Sequence, residues 1–514
     1  MNLISNAWIP VSLINGESRI VSLEECFTQA SGIADLSLTP PERIAVTNLL
    51  LCIAHRALNG PQDGDDHESC RDRIVPESAA YLGRTDIRSC FELLGSGPRF
   101  LQIHGAGNPG TASLAKLAGA DEKSASLFQP DLHAFRSFTP EWAALRLLSF
   151  QNYAAGGKVG GSETIGGKTT PVSAKAGPRR DSNAIHGYLR GETLLETLWL
   201  NLIPFSDLAA EPGEPVWEIL QSLPSPEVHH IAGKPVAGVL TTSYLGRLVP
   251  LSRSIWLDEG LATTELTKAL DYPGFAEGAR DSSLTILTTT KNNQPEHVPL
   301  SCAKGGMLQE AWRSLGAVLL IRATTSDPQT RGPFVISNAA GLPHANGMMD
   351  LWLGGVGGDQ ANTIDYYESS YRIPRSVFID DGVNRDWRDA FEAGVKLADA
   401  SANRLEAKVG AWCRICDPHG SSDRKRLATD HYWSVLQQHH HVLVEEANKA
   451  STSPSRSLDD RATAPWPRFV KQVTKQAFGT CCPLSNRAHI RARAFIESGR
   501  KLPQPERRKT KNKS

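Results

Sequence analysis

The sequence predicts an α+β protein. A mixed α/β domain over residues 1–378 is followed by a four-helix bundle over 379–502 and a basic tail, 503–514, expected to be disordered. Three observations lead there. At 514 residues the chain is too long for one hydrophobic core, so two or three domains are expected. The first three quarters mix short alternating runs with glycine-rich turns, as in LVPLSRSIWL and SLTILTT. The last quarter changes period: Phe391, Val395, Ala398, Ala402, Leu405, Val409 and Trp412 step by four and three, the seam of a helix in a bundle.

Asn2 to Ser12 reads as a strand, turned by Gly16 into a second run and a short helix from Leu23. A helix starts at Pro41 after Thr39, with a proline inside its first turn, and runs to about Leu58. The acidic tract Asp63, Asp65, Asp66 and Glu68 lacks calcium-loop spacing and reads as a solvated loop. Phe128 sits between polar segments, with Pro130 close behind, and reads as the anchor of a loop. TPEWAALRLLSFQ, from Thr139 to Gln151, is a capped helix that delivers the chain into its most unusual stretch.

That stretch has six glycines in twelve residues: Gly156, Gly157, Gly160, Gly161, Gly166 and Gly167, with Lys158 and Lys168 among them. Backbone so poor in side chains can approach a ligand closely and cradle an anion with its N–H groups. A nucleotide phosphate loop is one reading of GGKTT, but that motif needs a glycine where Ser162 stands. A flexible linker and a nucleic-acid-facing loop are the other two. After it, YLRGETLLETLWLNLI places Leu194, Leu195 and Leu198 on helical spacing. A second cluster, Gly354, Gly355, Gly357 and Gly358, precedes Asp359 and Gln360 and reads as a tight turn with a polar tip.

In the last quarter, Arg424 to Ala447, Pro467 to Cys481 and Asn486 to Gly499 read as three further helices, completing an antiparallel bundle. Lysine and arginine total 55 against 55 acidic residues, yet residues 461–514 hold fourteen cations and two glutamates. Such a basic end suits local nucleic-acid binding, with Arg487, Arg491 and Arg493 as candidate phosphate contacts. Cys413 and Cys416 have zinc-ligand spacing, but Cys413 continues the apolar seam and adjacent Cys481 and Cys482 chelate poorly, so no metal is expected. The nine cysteines are odd in number and scattered, and MNLISNAWIPV has no basic stretch before a long apolar run, so a cytoplasmic protein with reduced thiols is expected.

NLISNAWIPV, SASLFQPD, TPEWAALRLLSFQNYAAGG, GGKTT, GYLRGETLLETLWLNLIP, PVWE, RLVPLSRSIWL and YPGF occur in an order similar to that in the CasA family. These are the large subunits of Cascade, the type I-E CRISPR surveillance complex. The resemblance covers most of residues 1–375, and beyond them only the helical pattern agrees. It implies a non-catalytic subunit that recognises the protospacer-adjacent motif in double-stranded DNA, promotes unwinding and R-loop formation, and recruits a separate helicase-nuclease. Partners would be the CRISPR RNA, target DNA and other Cascade subunits. By position, Gly156, Gly157, Lys158, Gly160 and Gly161 match the family's glycine loop, and Phe128 matches its contact with guide RNA and the neighbouring subunit. Gln360, with Asp359 beside it, matches the wedge that starts strand separation. The lysine finger expected after YPGF is replaced by AEGARDSS, leaving Arg280 as the nearest cation. A carboxylate at Asp359 departs from what phosphate proximity favours.

No nucleophile elbow, HExxH or paired acidic motif appears. A stand-alone metal-dependent nucleic-acid enzyme using Asp and His residues is the alternative, and a scaffold whose glycines only pack against partners is the third.

Overall fold

Pro40–Leu58 is the helix around which the first part of the molecule is built. The Glu42 carboxylate accepts from the Thr39 N–H at 3.1 Å, and Pro40 and Pro41 occupy first-turn positions that need no donor. Sixteen of its nineteen residues are buried, which a helix apolar on every side requires. It packs against helices Gly64–Gly83, Pro140–Tyr153 and Leu194–Asn201 and against a long hairpin described below. Burying Leu49, Leu50, Leu51 or Ile53 contributes about 1.5–3 kcal/mol each.

In this computed structural model the described residues are 1–103, 108–118, 137–165, 168–208, 210–220, 230–231, 233–275, 281–301, 303–304, 307–308, 311–320, 330–338, 347–359, 362–452 and 464–498. They divide into two compact units, Met1–Asp381 and Gly382–Ser514. No described helix is long and apolar enough to cross a membrane.

The first unit carries three three-stranded antiparallel sheets among its described residues. Ile9–Leu13 lies between Ser18–Val21 and Ile33–Leu36. The strand expected from Asn2 begins only at Ile9, because side chains take over the earlier backbone groups. Asn2 Nδ2 donates to Arg88 O and Glu92 Oε1, its Oδ1 accepts from Ile4 N–H, and the Trp8 indole donates to Leu3 O. Thr263–Lys268 is the centre of a second sheet, between Arg253–Leu257 and Gly110–Ser113. The third sheet pairs His186–Arg190 and Asn362–Pro374 on either side of Met348–Asp359. Tyr188 and Leu189 therefore lie in a strand, and the helix expected there starts at Leu194 after its Thr193 cap, whose hydroxyl accepts from Glu196 N–H.

The acidic tract is a helix start and not a loop. Asp63 Oδ1 accepts from Asp66 N–H at 2.9 Å, and Asp65 and Asp66 sit in the first turn, where the helix dipole favours anions.

The second unit contains five helices among its described residues: Asp381–Cys416, Ser421–Gln438, His441–Thr452, Pro465–Cys481 and Arg487–Glu497. The seam is buried at Phe391, Ala398, Ala402, Leu405, Val409 and Trp412, while Val395 is half-buried. The helix expected from Arg424 to Ala447 is broken. His439 Nδ1 lies 3.0 Å from Val435 O and His440 Nδ1 lies 2.6 Å from Gln437 O, so the rings hold carbonyls that a continuing helix would bond.

Candidate nucleic-acid interface

The glycine stretch is a β-hairpin and not a loose loop. Gly157–Ile165 pairs antiparallel with Lys168–Ala174, with a register shift between Lys158 and Ser162. Its glycines have different reasons for being glycine. A Cβ on Gly160 would fall within 3.0 Å of Leu266 O, and Gly161, at φ +92°, would drive one into Asn108 O. Across the seam, a Cβ on Gly110 would come to 2.6 Å from Gly161 N. Here three backbones pack directly on one another, which only glycine allows. Gly157 differs: its φ is +100°, and a Cβ there would meet nothing within 4 Å. Gly156, Gly157 and Lys158 are exposed. One end of the hairpin is thus seated in the sheet, while a bare backbone edge beside an ammonium group faces solvent.

Arg253 holds the base. Its Nη2 donates to Ala155 O at 2.6 Å, two residues before the first strand, and to Lys175 O at 2.9 Å, one residue after the second, at the hairpin's open end. Its Nη1 donates to Ser252 O at 2.7 Å. Burial pushes this guanidinium down to about 10, still cationic at neutral pH. Gln151, itself buried, fixes the Arg253 backbone through bonds to its N–H and C=O.

A short 3-10 segment, Pro178–Asn183, leads from this hairpin toward the third sheet. Arg179 is buried and pairs with Asp281 at 2.8 Å. Burial alone would raise the Asp281 carboxyl, but Arg179, His186 and the Ser283 hydrogen bonds hold it at about 2. Burial pushes neighbouring His186 down to about 4, and its Nδ1 lies 2.8 Å from Ser283 Oγ.

The second glycine cluster is likewise strand and not turn: Gly354, Gly355, Gly357 and Gly358 all lie within Met348–Asp359. The Trp352 indole covers Gly354, while Tyr367 Oη and Ala184 O crowd Gly355, so added side chains would collide there too. Of the residues expected at the tip, Asp359 pairs with Asn362 in the backbone, and Gln360 lies outside the described residues. So do Arg280 and Phe128.

In the second unit the three arginines separate. Arg487 and Arg491 are exposed and one turn apart. Arg493 is turned inward, bonding Glu497 at 3.0 Å and lying over the Phe478 ring at 5.5 Å. Cys413 and Cys482 are buried, Cys416 and Cys481 half-buried, and among the described residues no group of three or more His, Cys, Asp or Glu could hold a metal ion.

Comparison with known proteins bears on this geometry. The sequence matches the family described as CRISPR-associated protein Cse1 over residues 2–477. The chain belongs to the Cse1 family. A Cse1 relative, the CRISPR-associated protein CasA/Cse1 of Thermus thermophilus, is 26% identical over 442 residues, covering 80% of this chain and 78% of that protein. The crystal structure of Thermus thermophilus CasA superposes with a TM-score of 0.71 at 21% identity, covering 97% of this chain and 98% of that one. Cse1 from Acidimicrobium ferrooxidans gives 0.71 at 19% identity, covering 97% and 96%. A chain of a structure described as a CRISPR RNA-guided surveillance complex gives 0.65 at 18% identity, covering 94% and 99%. At these identities the superpositions establish a shared fold.

In this Cse1 chain, sequence reasoning missed the residues that seat the hairpins: Arg253, Gln151, Arg179 with Asp281, and Asn183. One signal was available. Arg253 is in phase with Ile255 and Leu257, both fully buried, and a cation on the inward phase of a strand must find buried acceptors.

Proposed function

We propose that this chain is the non-catalytic large subunit of a CRISPR RNA-guided surveillance complex. In that role it reads a protospacer-adjacent motif in double-stranded DNA, promotes unwinding and R-loop formation, and presents the assembly to a separate helicase-nuclease. The observation that carries the reading is the family match over residues 2–477. The exposed edge at Gly157 and Lys158 supports it, since a side-chain-poor backbone fits a narrow minor groove and a nearby cation pairs with phosphate. Guide pairing would read the remaining target sequence, while this subunit reads a few base pairs and groove shape. Gln360 would act as the wedge at the first pair, Arg280 as the cation that replaces the family's lysine, and Phe128 as the contact to guide RNA or a neighbouring subunit.

The test is expression with the other subunits and a CRISPR RNA, followed by isolation through a tag on this chain. Co-isolation of the RNA and motif-dependent binding of duplex DNA are expected. Gln360→Ala should slow opening of linear duplex more than it weakens motif binding. Divalent-metal-dependent cleavage of DNA by the purified chain alone would overturn the non-catalytic reading in favour of a stand-alone nuclease.

A further inference from the structure

We propose that the Pro178–Asn183 segment is a spacing rod that holds the two hairpins at a set separation, with Asn183 as its positioning residue. The inference rests on the function proposed above. At its near end the rod is fixed to residues that lead into the glycine hairpin. Gly177 N–H donates to Ala154 O at 2.8 Å, Arg180 Nη1 donates to Tyr153 O at 3.3 Å, and Arg179 Nη1 bonds Asn152 Oδ1. A Cβ on Gly177 would meet the Asn152 carbonyl, so rod and helix end are in backbone contact. The buried Arg179–Asp281 pair adds a further hold at the same end.

The far end is a clasp. The Asn183 side-chain amide donates through Nδ2 to Gly358 O at 3.1 Å and accepts at Oδ1 from Gly358 N–H at 2.8 Å. It thereby satisfies both backbone groups of one residue, as a neighbouring strand would. Gly358 lies at the register shift of the long hairpin, where the pairing with Asn362–Pro374 is interrupted and outside support has most effect. Asn183 adopts φ +51°, a left-handed conformation that asparagine tolerates better than most residues. Next to it, Tyr367 Oη donates to Ala184 O at 2.9 Å, a second tie between rod and hairpin. No other side chain of this reach offers both a donor and an acceptor: Asp keeps only the acceptor, and Ala or Gly keeps neither.

A 3-10 segment of six residues spans about 12 Å at about 2.0 Å per residue. Stacked base pairs rise about 3.4 Å each, so the rod is about as long as three to four pairs. A rigid connection of that length would set how far below the groove contact strand opening begins.

The experiment uses the assembled complex and motif-bearing duplexes with thymines at successive positions below the motif. Opening is followed by permanganate reactivity, and motif affinity is measured separately. Asn183→Ala should slow opening of linear duplex by about 10-fold, with affinity and rate on a pre-opened bubble within about two-fold of wild type. The first reactive thymine, sharply placed in wild type, should spread over neighbouring positions. Asn183→Asp should lose about three-fold, and Tyr367→Phe, which leaves the left-handed residue untouched, should shift the start in the same direction. If Asn183→Ala and Tyr367→Phe both open at the wild-type rate and position, or both lose equally on duplex and bubble, the rod is only structural and the proposal fails. If the wild-type complex itself shows no motif-dependent opening, the function proposed above fails, and this inference with it.

Discussion

Gly160 and Gly157 look equivalent in the sequence, but the structure gives them opposite fates on substitution. Gly160→Ala places a methyl group within 3.0 Å of Leu266 O and 3.5 Å from Gly110 Cα, both backbone atoms that cannot rotate away. The seam must widen by several tenths of an ångström, and overpacking of this kind costs about 1–3 kcal/mol. Gly157→Ala meets no atom and carries only the strain of a positive φ in an exposed strand end, about 1 kcal/mol. The assay is urea unfolding of the isolated chain, followed by tryptophan fluorescence, beside duplex affinity of the assembled complex. Gly160→Ala should lower the midpoint of the first unit's transition by more than Gly157→Ala, which carries only its backbone strain and should weaken motif-duplex binding. A Gly160→Ala chain within about 0.5 kcal/mol of wild type that nonetheless loses duplex binding would refute the packing argument. It would mean that Gly160, like Gly157, is a surface for DNA.

Arg253→Met removes three donors to backbone carbonyls and should raise amide hydrogen exchange across residues 157–174 by at least about ten-fold; unchanged protection there would show that the seam alone holds the hairpin. Acidification should destabilise the first unit in a defined window. Burial depresses His55 and His186 to about 4 each, so the unfolded chain binds protons that the folded rings refuse. Stability is then full above about pH 6.5 and lost toward pH 4, by on the order of 3 kcal/mol per ring. Asp281, held at about 2, begins to lose its contribution only below the usual carboxylate range. Urea midpoints that stay flat between pH 6.5 and 5 would contradict this assignment. In the second unit, replacing Arg487 and Arg491 with alanine should reduce the salt dependence of DNA binding by about 0.7–0.9 in log–log slope for each phosphate that is no longer neutralised. Arg493, already paired with Glu497, should contribute little to that slope, and a larger effect from Arg493→Ala than from the exposed pair would reverse the assignment.

The elements legible in the sequence are those whose causes are local. Thr39 with Pro40 and Pro41, or Thr139 with Pro140, announce a helix within four residues, and the seam from Phe391 to Trp412 repeats its message over six turns. The glycine clusters were visible as sites of unusual backbone, but their conformation was not. What makes Gly160 glycine is Leu266 O, and what crowds Gly355 is Ala184 O, neither of which the local sequence contains. The same holds for Asn183 and Gly358, 175 residues apart, and for Arg179 and Asp281. Residues that would touch a ligand tend to carry a compositional mark, such as Lys158 among glycines. Residues that hold those in place are ordinary side chains made special by a distant partner. The break at His439 and His440 went unseen for a related reason: histidine continues a helix or caps one depending on which carbonyl its ring reaches.

The seam of Gly110, Gly160 and Gly161 has a consequence for how this protein can change. A crowded contact between two side chains has an escape, because a mutation that enlarges one can be answered by trimming the other. Around Gly160 and Gly110 every crowding atom is main chain, so nothing remains there to be trimmed; only Gly161 also meets a side chain, the Thr267 hydroxyl. A suppressor of Gly160→Ala must therefore move a strand, by altering the register of Thr263–Lys268 against Gly110–Ser113 or the chain length between the two. Selection for restored stability should return insertions, deletions and turn substitutions around this sheet, and no compensating side-chain reductions at the point of collision.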